Sequence, residues 1–129
     1  MLCSIGCFPL LASGTSVDRR VPAEARAVVA SVAAAAQNRD LAKLRPLMAD
    51  QFAHVFRSEG DAKRDSADDA IAFWKKHPEL IQRLARTTKS VCAVHGQEVI
   101  CPGSASTGFR AIFQWSNGRW LMTAFLEGD

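Results

Sequence analysis

Asn117-Gly118 stands between two β-rich runs, Gly108 to Ser116 and Arg119 to Glu127, and this dipeptide is the strongest short signal for a two-residue hairpin turn. A turn of that kind sets the partner of every residue on both arms. Ser116 opposes Arg119 and Trp115 opposes Trp120, which predicts one face made of Phe109, Ala111, Phe113 and Trp115 against Trp120, Met122, Ala124 and Leu126. That face is apolar throughout. The opposite face, with Arg110, Ile112, Gln114, Leu121, Thr123 and Phe125, is mixed. The alternation predicts an antiparallel sheet covered by helices on one side and partly open on the other.

A second hairpin is predicted upstream, where Val91 to His95 and Glu98 to Cys101 flank Gly96-Gln97. With Gly96 supplying the positive φ of a type II′ turn, His95 pairs with Glu98, Val94 with Val99, Ala93 with Ile100, and Cys92 with Cys101. The cysteines then fall at a close, non-hydrogen-bonded pair, with Cα atoms about 4.5 Å apart. That spacing lets Cys92 and Cys101 form a structural disulfide, which implies an oxidising compartment. The alternative is a pair of free thiols packed as small hydrophobes. The histidines and remaining cysteines have no metal-ligand spacing, so no metal site is expected.

Ahead of the hairpins the apolar residues recur at helical spacing. Ala25, Val28, Val29, Val32, Ala33 and Ala36 form one stripe, with Pro22 at the first helical position and Asn38-Arg39-Asp40 as the break. Asp40 caps a second short helix with Leu41, Leu44, Leu47 and Met48 on its apolar face. Gln51 to Arg57 alternates as a short strand, and Ser58 to Asp65 is a charged loop. Ser66 and Asp69 make a capping-box start for a helix over Ala67 to Lys76, and Pro78 divides it from another that reaches about Thr87. Helices followed by hairpins give an α+β class: N-terminal helices packed on one face of a curved antiparallel sheet built from two C-terminal hairpins. A chain of 129 residues is one such domain, and at this size it buries enough surface to need no cofactor.

The first residues read differently from the rest. Met1 to Ala12 is apolar and uncharged, the next four residues are small and polar, and Asp18-Arg19-Arg20 follows. The order is that of an export signal without its basic start, which predicts a signal over residues 1–16, a domain over 17–129 and a periplasmic or secreted location. The alternative is a buried N-terminal element of the domain. Ser4-Ile5-Gly6-Cys7 also resembles a degenerate lipoprotein box, with Cys7 as the lipidated residue. The apolar run is too short to span a bilayer, so no stable membrane span is expected. With 16 basic against 13 acidic residues, a net +3, the chain lacks the dense basic surface of a nucleic-acid binder.

Asn38-Arg39-Asp40-Leu41-Ala42-Lys43-Leu44 through Ala49-Asp50-Gln51-Phe52, in this order of elements, resembles the NTF2-like superfamily. The resemblance implies a helical hairpin leading into a curved sheet that forms a cone with a pocket. The chain departs from that pattern at Pro78 and in a short sheet, and the catalytic carboxylates of the isomerase and dehydratase members have no matching position. The fold is therefore carried over and no catalytic residue is. Phe109 to Asp129 also resembles the ends of small secreted bacterial proteins, which implies export.

No complete catalytic motif is present, and no catalytic residue is assigned. His54, between Phe52 and Phe56, is the best single titratable candidate, and the ligand-binding set is His54, Phe56, Arg110 and Gln114. A histidine satisfied within the fold is the plainer reading of His54. His77 belongs to the helix break, and His95 is expected to meet Glu98. Asp65, Asp68 and Asp69 complement a helix dipole. Lys75, Lys76, Arg83, Arg86 and Lys89 make a basic helical region that suits an acidic partner, anionic lipid or a solvated face. Two functions follow: an exported binding or inhibitory module without catalytic activity, meeting a protein partner, or an NTF2-like pocket protein for a small apolar ligand, with isomerase or hydrolase chemistry at His54.

Overall fold

A computed structural model describes residues 20–55, 63–103 and 108–128. The expected export segment over residues 1–16, the expected lipidation site Cys7, and Phe56 lie outside the described residues.

The first helix, α1 (Ala23–Gln37), buries Ala25, Val29, Val32, Ala33, Ala35 and Ala36; of the stripe expected from the spacing Val28 is only partly buried, and Ala35 is added. It ends where Arg39 takes φ 55° and the backbone N–H groups of Arg39 and Asp40 return to Ala36 and Ala35. Asp40 caps α2 (Leu41–Leu44) by accepting from the Lys43 N–H at 3.1 Å. A 3₁₀ turn at Arg45–Leu47 follows, and Met48 is already extended. Met48 therefore opens a strand, β1 (Met48–Val55), rather than closing the apolar face of α2 as expected. Pro46 is the physical reason: its ring fits the tight turn but removes the N–H that a longer helix would use.

β1 pairs antiparallel with β2 (Lys63–Ser66), in a stretch that the sequence presents as the end of a charged loop. An edge strand held by backbone hydrogen bonds needs no apolar pattern, so nothing in its composition announces it. Ser66 then caps α3 (Ala67–Lys76) through the Asp69 N–H at 3.0 Å, as the capping box predicts. Pro78 begins α4 (Pro78–Lys89) after a single residue, His77, whose N–H closes α3 on the Phe73 and Trp74 carbonyls. Arg45 binds Asp68 at 2.8 Å and Asp50 at 3.0 Å, tying the 3₁₀ turn to the start of α3. The bond to Asp68, with Asp50 second, holds the Arg45 pKa above its ordinary value.

The two hairpins are β3 (Ala93–His95) with β4 (Glu98–Cys101), and β5 (Gly108–Ser116) with β6 (Arg119–Gly128). Their registers are those read from the turns: His95 with Glu98, Ala93 with Ile100, Ser116 with Arg119, Trp115 with Trp120. Gly96 has φ 63°, and Asn117 and Gly118 have φ 51° and 92°. Among the described residues the strands form one sheet in the order β2-β1-β6-β5-β4-β3. The class is α+β, with the helices on one face of a curved sheet. The sheet is mixed, because β1 lies parallel to β6 while every other pair is antiparallel. Helices α1 and α4 pack on each other and reach β6 and β5, and α3 lies on β1.

One residue alters the predicted face of β6. The register shifts between Ile112/Ala124 and Phe113/Met122, so Thr123 is an extra residue on β6. Such a bulge reverses the faces beyond it and bends the strand. Phe125, expected on the mixed face, therefore joins the core opposite Ala111, while Ala124 and Leu126 turn to the other side with Ile112 and Arg110. The cover of the helices also thins at the hairpin tip. Trp115, expected in the core, is 54% exposed, and Trp120 is half-buried at 6.3 Å from it, edge to face.

Behind Cys101 the chain folds back on β3, with the Gly103 N–H donating to the Val91 carbonyl at 2.6 Å. A Cβ on Gly103 would stand 2.4 Å from the Ala93 Cβ and 2.8 Å from its backbone nitrogen. Gly103→Ala is therefore expected to cost about 1–3 kcal/mol, as overpacking against backbone does. A urea midpoint unchanged in that variant would contradict the close approach.

Candidate functional site

The site is built on the alanines of α1. Arg26, Val29, Ala30, Ala33, Ala34 and Gln37 recur at intervals of three and four residues and form one line along the helix. Ala30 and Ala34 on this line are exposed, and so short a side chain leaves room beside a helix where a longer one would fill it. Across from this line lies the end of α4, with Thr88, Lys89 and Ser90, and beyond it Cys92 of the disulfide. Between them is a cavity of about 600 Å³, open to the outside and lined mainly by apolar atoms. Cavities for small organic ligands have volumes of roughly 300–1,000 Å³.

Several polar groups of the lining are already committed. The Thr88 hydroxyl donates back to the Leu84 carbonyl at 2.7 Å, so its hydrogen is used inside α4. The Lys89 ammonium is hydrogen-bonded to the Gln37 amide oxygen, which joins α4 to α1 at one end of the groove. Arg26 reaches the Val21 carbonyl at 3.4 Å near the other end. Among the described residues the lining carries these two cations and no carboxylate.

A second cavity, of about 570 Å³, lies at the hairpin tips, where Pro22, Val94, Glu98, Gln114, Trp115 and Trp120 contribute to its wall. Here Gln114 donates to the Glu98 carboxylate across the β4–β5 pair.

Of the expected ligand-binding residues, the described ones, His54, Arg110 and Gln114, do not share a face. His54 faces the helices beside Phe73, with ring centroids 5.8 Å apart, and Phe73 stacks in turn on His77 at 4.5 Å. Arg110 and Gln114 occupy the alternate positions of β5, on the face opposite to core residues Ala111 and Phe113. His95 pairs in register with Glu98, but its Nε2 lies 3.0 Å from the Gly103 carbonyl, while Glu98 takes Gln114. The space between sheet and helices, where a cone pocket is implied, is filled by Phe52, Trp74, Phe113, Met122, Leu44 and Met48, all essentially inaccessible. Among the described residues no group of three or more His, Cys, Asp or Glu is placed to hold a metal ion, and no helix is long and apolar enough to cross a membrane.

The cysteines do meet as the register requires. Cys92 and Cys101 form a disulfide with Cα atoms 4.3 Å apart, on the helix-facing side of the sheet. The groove was missed from sequence, although one signal for it exists. A solvent face of a helix ordinarily carries charged or long polar residues, whereas α1 places Ala30 and Ala34 in line between Arg26 and Gln37.

No protein-family model matches the sequence, and no curated protein matches it. Among solved structures it is similar to a ketosteroid isomerase-like protein from Shewanella frigidimarina, at 16% identity over 87% of this chain and 98% of that one, with a TM-score of 0.49. It is also similar to an NTF2-like protein of unknown function from Shewanella oneidensis, at 14% identity over 80% and 94%, with a TM-score of 0.49. A cystatin-fold protein from Novosphingobium aromaticivorans is similar at 12% identity over 81% and 97%, with a TM-score of 0.46.

Proposed function

We propose that this protein is a small exported binding domain that holds an apolar small molecule in the groove between α1 and the end of α4. The observation that carries the reading is the groove itself, about 600 Å³ with an apolar lining, beside a sheet and helix interior already filled by side chains. Binding there uses the hydrophobic effect along Val29, Ala30, Ala33 and Ala34 and needs no reacting group. Export is supported by the apolar run before residue 13 and by the Cys92–Cys101 bridge, since such bridges persist in oxidising compartments. On this reading the protein acts in the periplasm or outside the cell.

Ala30→Trp tests the site, because position 30 is exposed on α1 and an indole there occupies the groove without entering the core. The neutral probe N-phenyl-1-naphthylamine should bind the unmodified protein at one site. In the variant its affinity should fall at least about tenfold, with the unfolding midpoint held. Equal binding by both proteins would remove the groove from the function. Intact mass from the native host tests export, which predicts loss of the residues up to about Ser16 and a mass gain of two hydrogens on reduction.

A further inference from the structure

We infer that the ligand of the α1/α4 groove is an amphipathic carboxylate whose apolar body lies along the alanine line and whose head group meets Arg26. The inference rests on the groove being the binding site, as proposed above, and adds the charge and the orientation of what it binds.

Two cations line a mainly apolar groove, and among the described residues no Asp or Glu lines it with them. Neither cation has an ion-pair partner among the described residues: Lys89 is held by the Gln37 amide and Arg26 by a backbone carbonyl. Their settings differ. Lys89 is the last residue of α4, where a cation complements the negative end of the helix dipole, so its position has an account within the fold. Arg26 has none. It stands near the start of α1, one turn from the positive end of that dipole, where a cation is disfavoured. A bound carboxylate reverses the sign of that arrangement. Its negative charge is attracted by the guanidinium and by the α1 N-terminus together, and the guanidinium offers two parallel donors that match a carboxylate.

Orientation follows from length. Arg26 and Gln37 are separated by a rise of about 16 Å along α1, at about 1.5 Å per residue, so one head group cannot serve both ends. At the far end Lys89 is already bonded to Gln37. Arg26 is left as the anchor, and a chain running from it toward Gln37 passes Val29, Ala30, Ala33 and Ala34. Among the described residues of the lining no second cation stands at this end, and a lone guanidinium suits a single negative charge, which favours a carboxylate over a doubly charged phosphate.

The test compares decanoate with 1-decanol at neutral pH, each displacing N-phenyl-1-naphthylamine from the unmodified protein, Arg26→Gln, Lys89→Gln and Ala30→Trp. Decanoate should bind at least about tenfold more tightly than decanol, with the preference weakening as salt rises. Arg26→Gln should abolish the preference while leaving decanol binding in place, and Lys89→Gln should keep most of it. Equal binding of the two compounds to the unmodified protein, or a preference that survives Arg26→Gln, overturns the inference and leaves the groove standing as an apolar site. Failure of both compounds to compete, with Ala30→Trp indistinguishable from the unmodified protein, overturns the groove reading itself.

Discussion

Trp74→Ala is expected to lower the free energy of unfolding by about 3–5 kcal/mol, the range for removing a buried large aromatic side chain. Trp74 is 1% exposed and stands where α3, β1 and β6 meet. It sits on α3, its ring meets Phe52 of β1 edge to face at 5.6 Å, and it meets Phe125 of β6 in the same manner at 5.9 Å. The indole therefore holds α3 against the one parallel strand pair of the sheet. Since whole domains are stable by only about 5–15 kcal/mol, such a loss should show as a large fall in the urea midpoint. Trp74→Phe should recover much of it, because a second ring keeps part of the edge contact and leaves a smaller void. A Trp74→Ala midpoint within experimental scatter of the unmodified protein would mean that the core lies elsewhere.

Opening the Cys92–Cys101 bridge comes next in size, at about 2–3 kcal/mol from the chain-entropy relation for a loop this short. The residues are only 9 apart in sequence, so the constraint on the unfolded chain is smaller than a long-range bridge would impose. Both half-cystines are buried against the helical layer, and Cys92 also lines the groove. The double variant Cys92→Ala, Cys101→Ala should therefore unfold at lower urea and bind N-phenyl-1-naphthylamine less tightly. Identical unfolding curves for the oxidised protein and the double variant would contradict the stabilisation.

The bridge and the hairpins were legible because their geometry is local. Once Gly96 and Asn117-Gly118 define two-residue turns, period-two pairing places Cys92 opposite Cys101 and Trp115 opposite Trp120 without reference to the rest of the chain. The same holds for the caps at Asp40 and Ser66 and for the helix break at Pro78, each a contact between neighbours in sequence. Where the counting failed, one residue was responsible. Thr123 is inserted as a bulge, and every residue of β6 beyond it changes face, which took Phe125 into the core and Leu126 out.

The groove was illegible for a different reason. Ala30 and Ala34 are ordinary in a helix, and Arg26 and Lys89 are ordinary on a surface. They define a cavity only because the end of α4 is packed beside α1. His54 drew notice as a lone histidine between phenylalanines, yet it faces Phe73, far in chemistry from Arg110 and Gln114 on the opposite face.

By itself, then, the sequence determined the α+β class, the register of the first hairpin and of the second as far as Thr123, the disulfide pairing and the helix breaks at Asn38-Arg39-Asp40 and Pro78, since each rests on turn geometry, capping or periodicity acting over a few neighbouring residues. Tertiary structure alone decided that β1 lies parallel to β6, that Lys63–Ser66 is a strand, that Phe125 faces inward, and that α1 and α4 leave a groove between them. Those outcomes depend on which distant surfaces bury each other best, and that free energy belongs to pairs of elements that no local pattern contains.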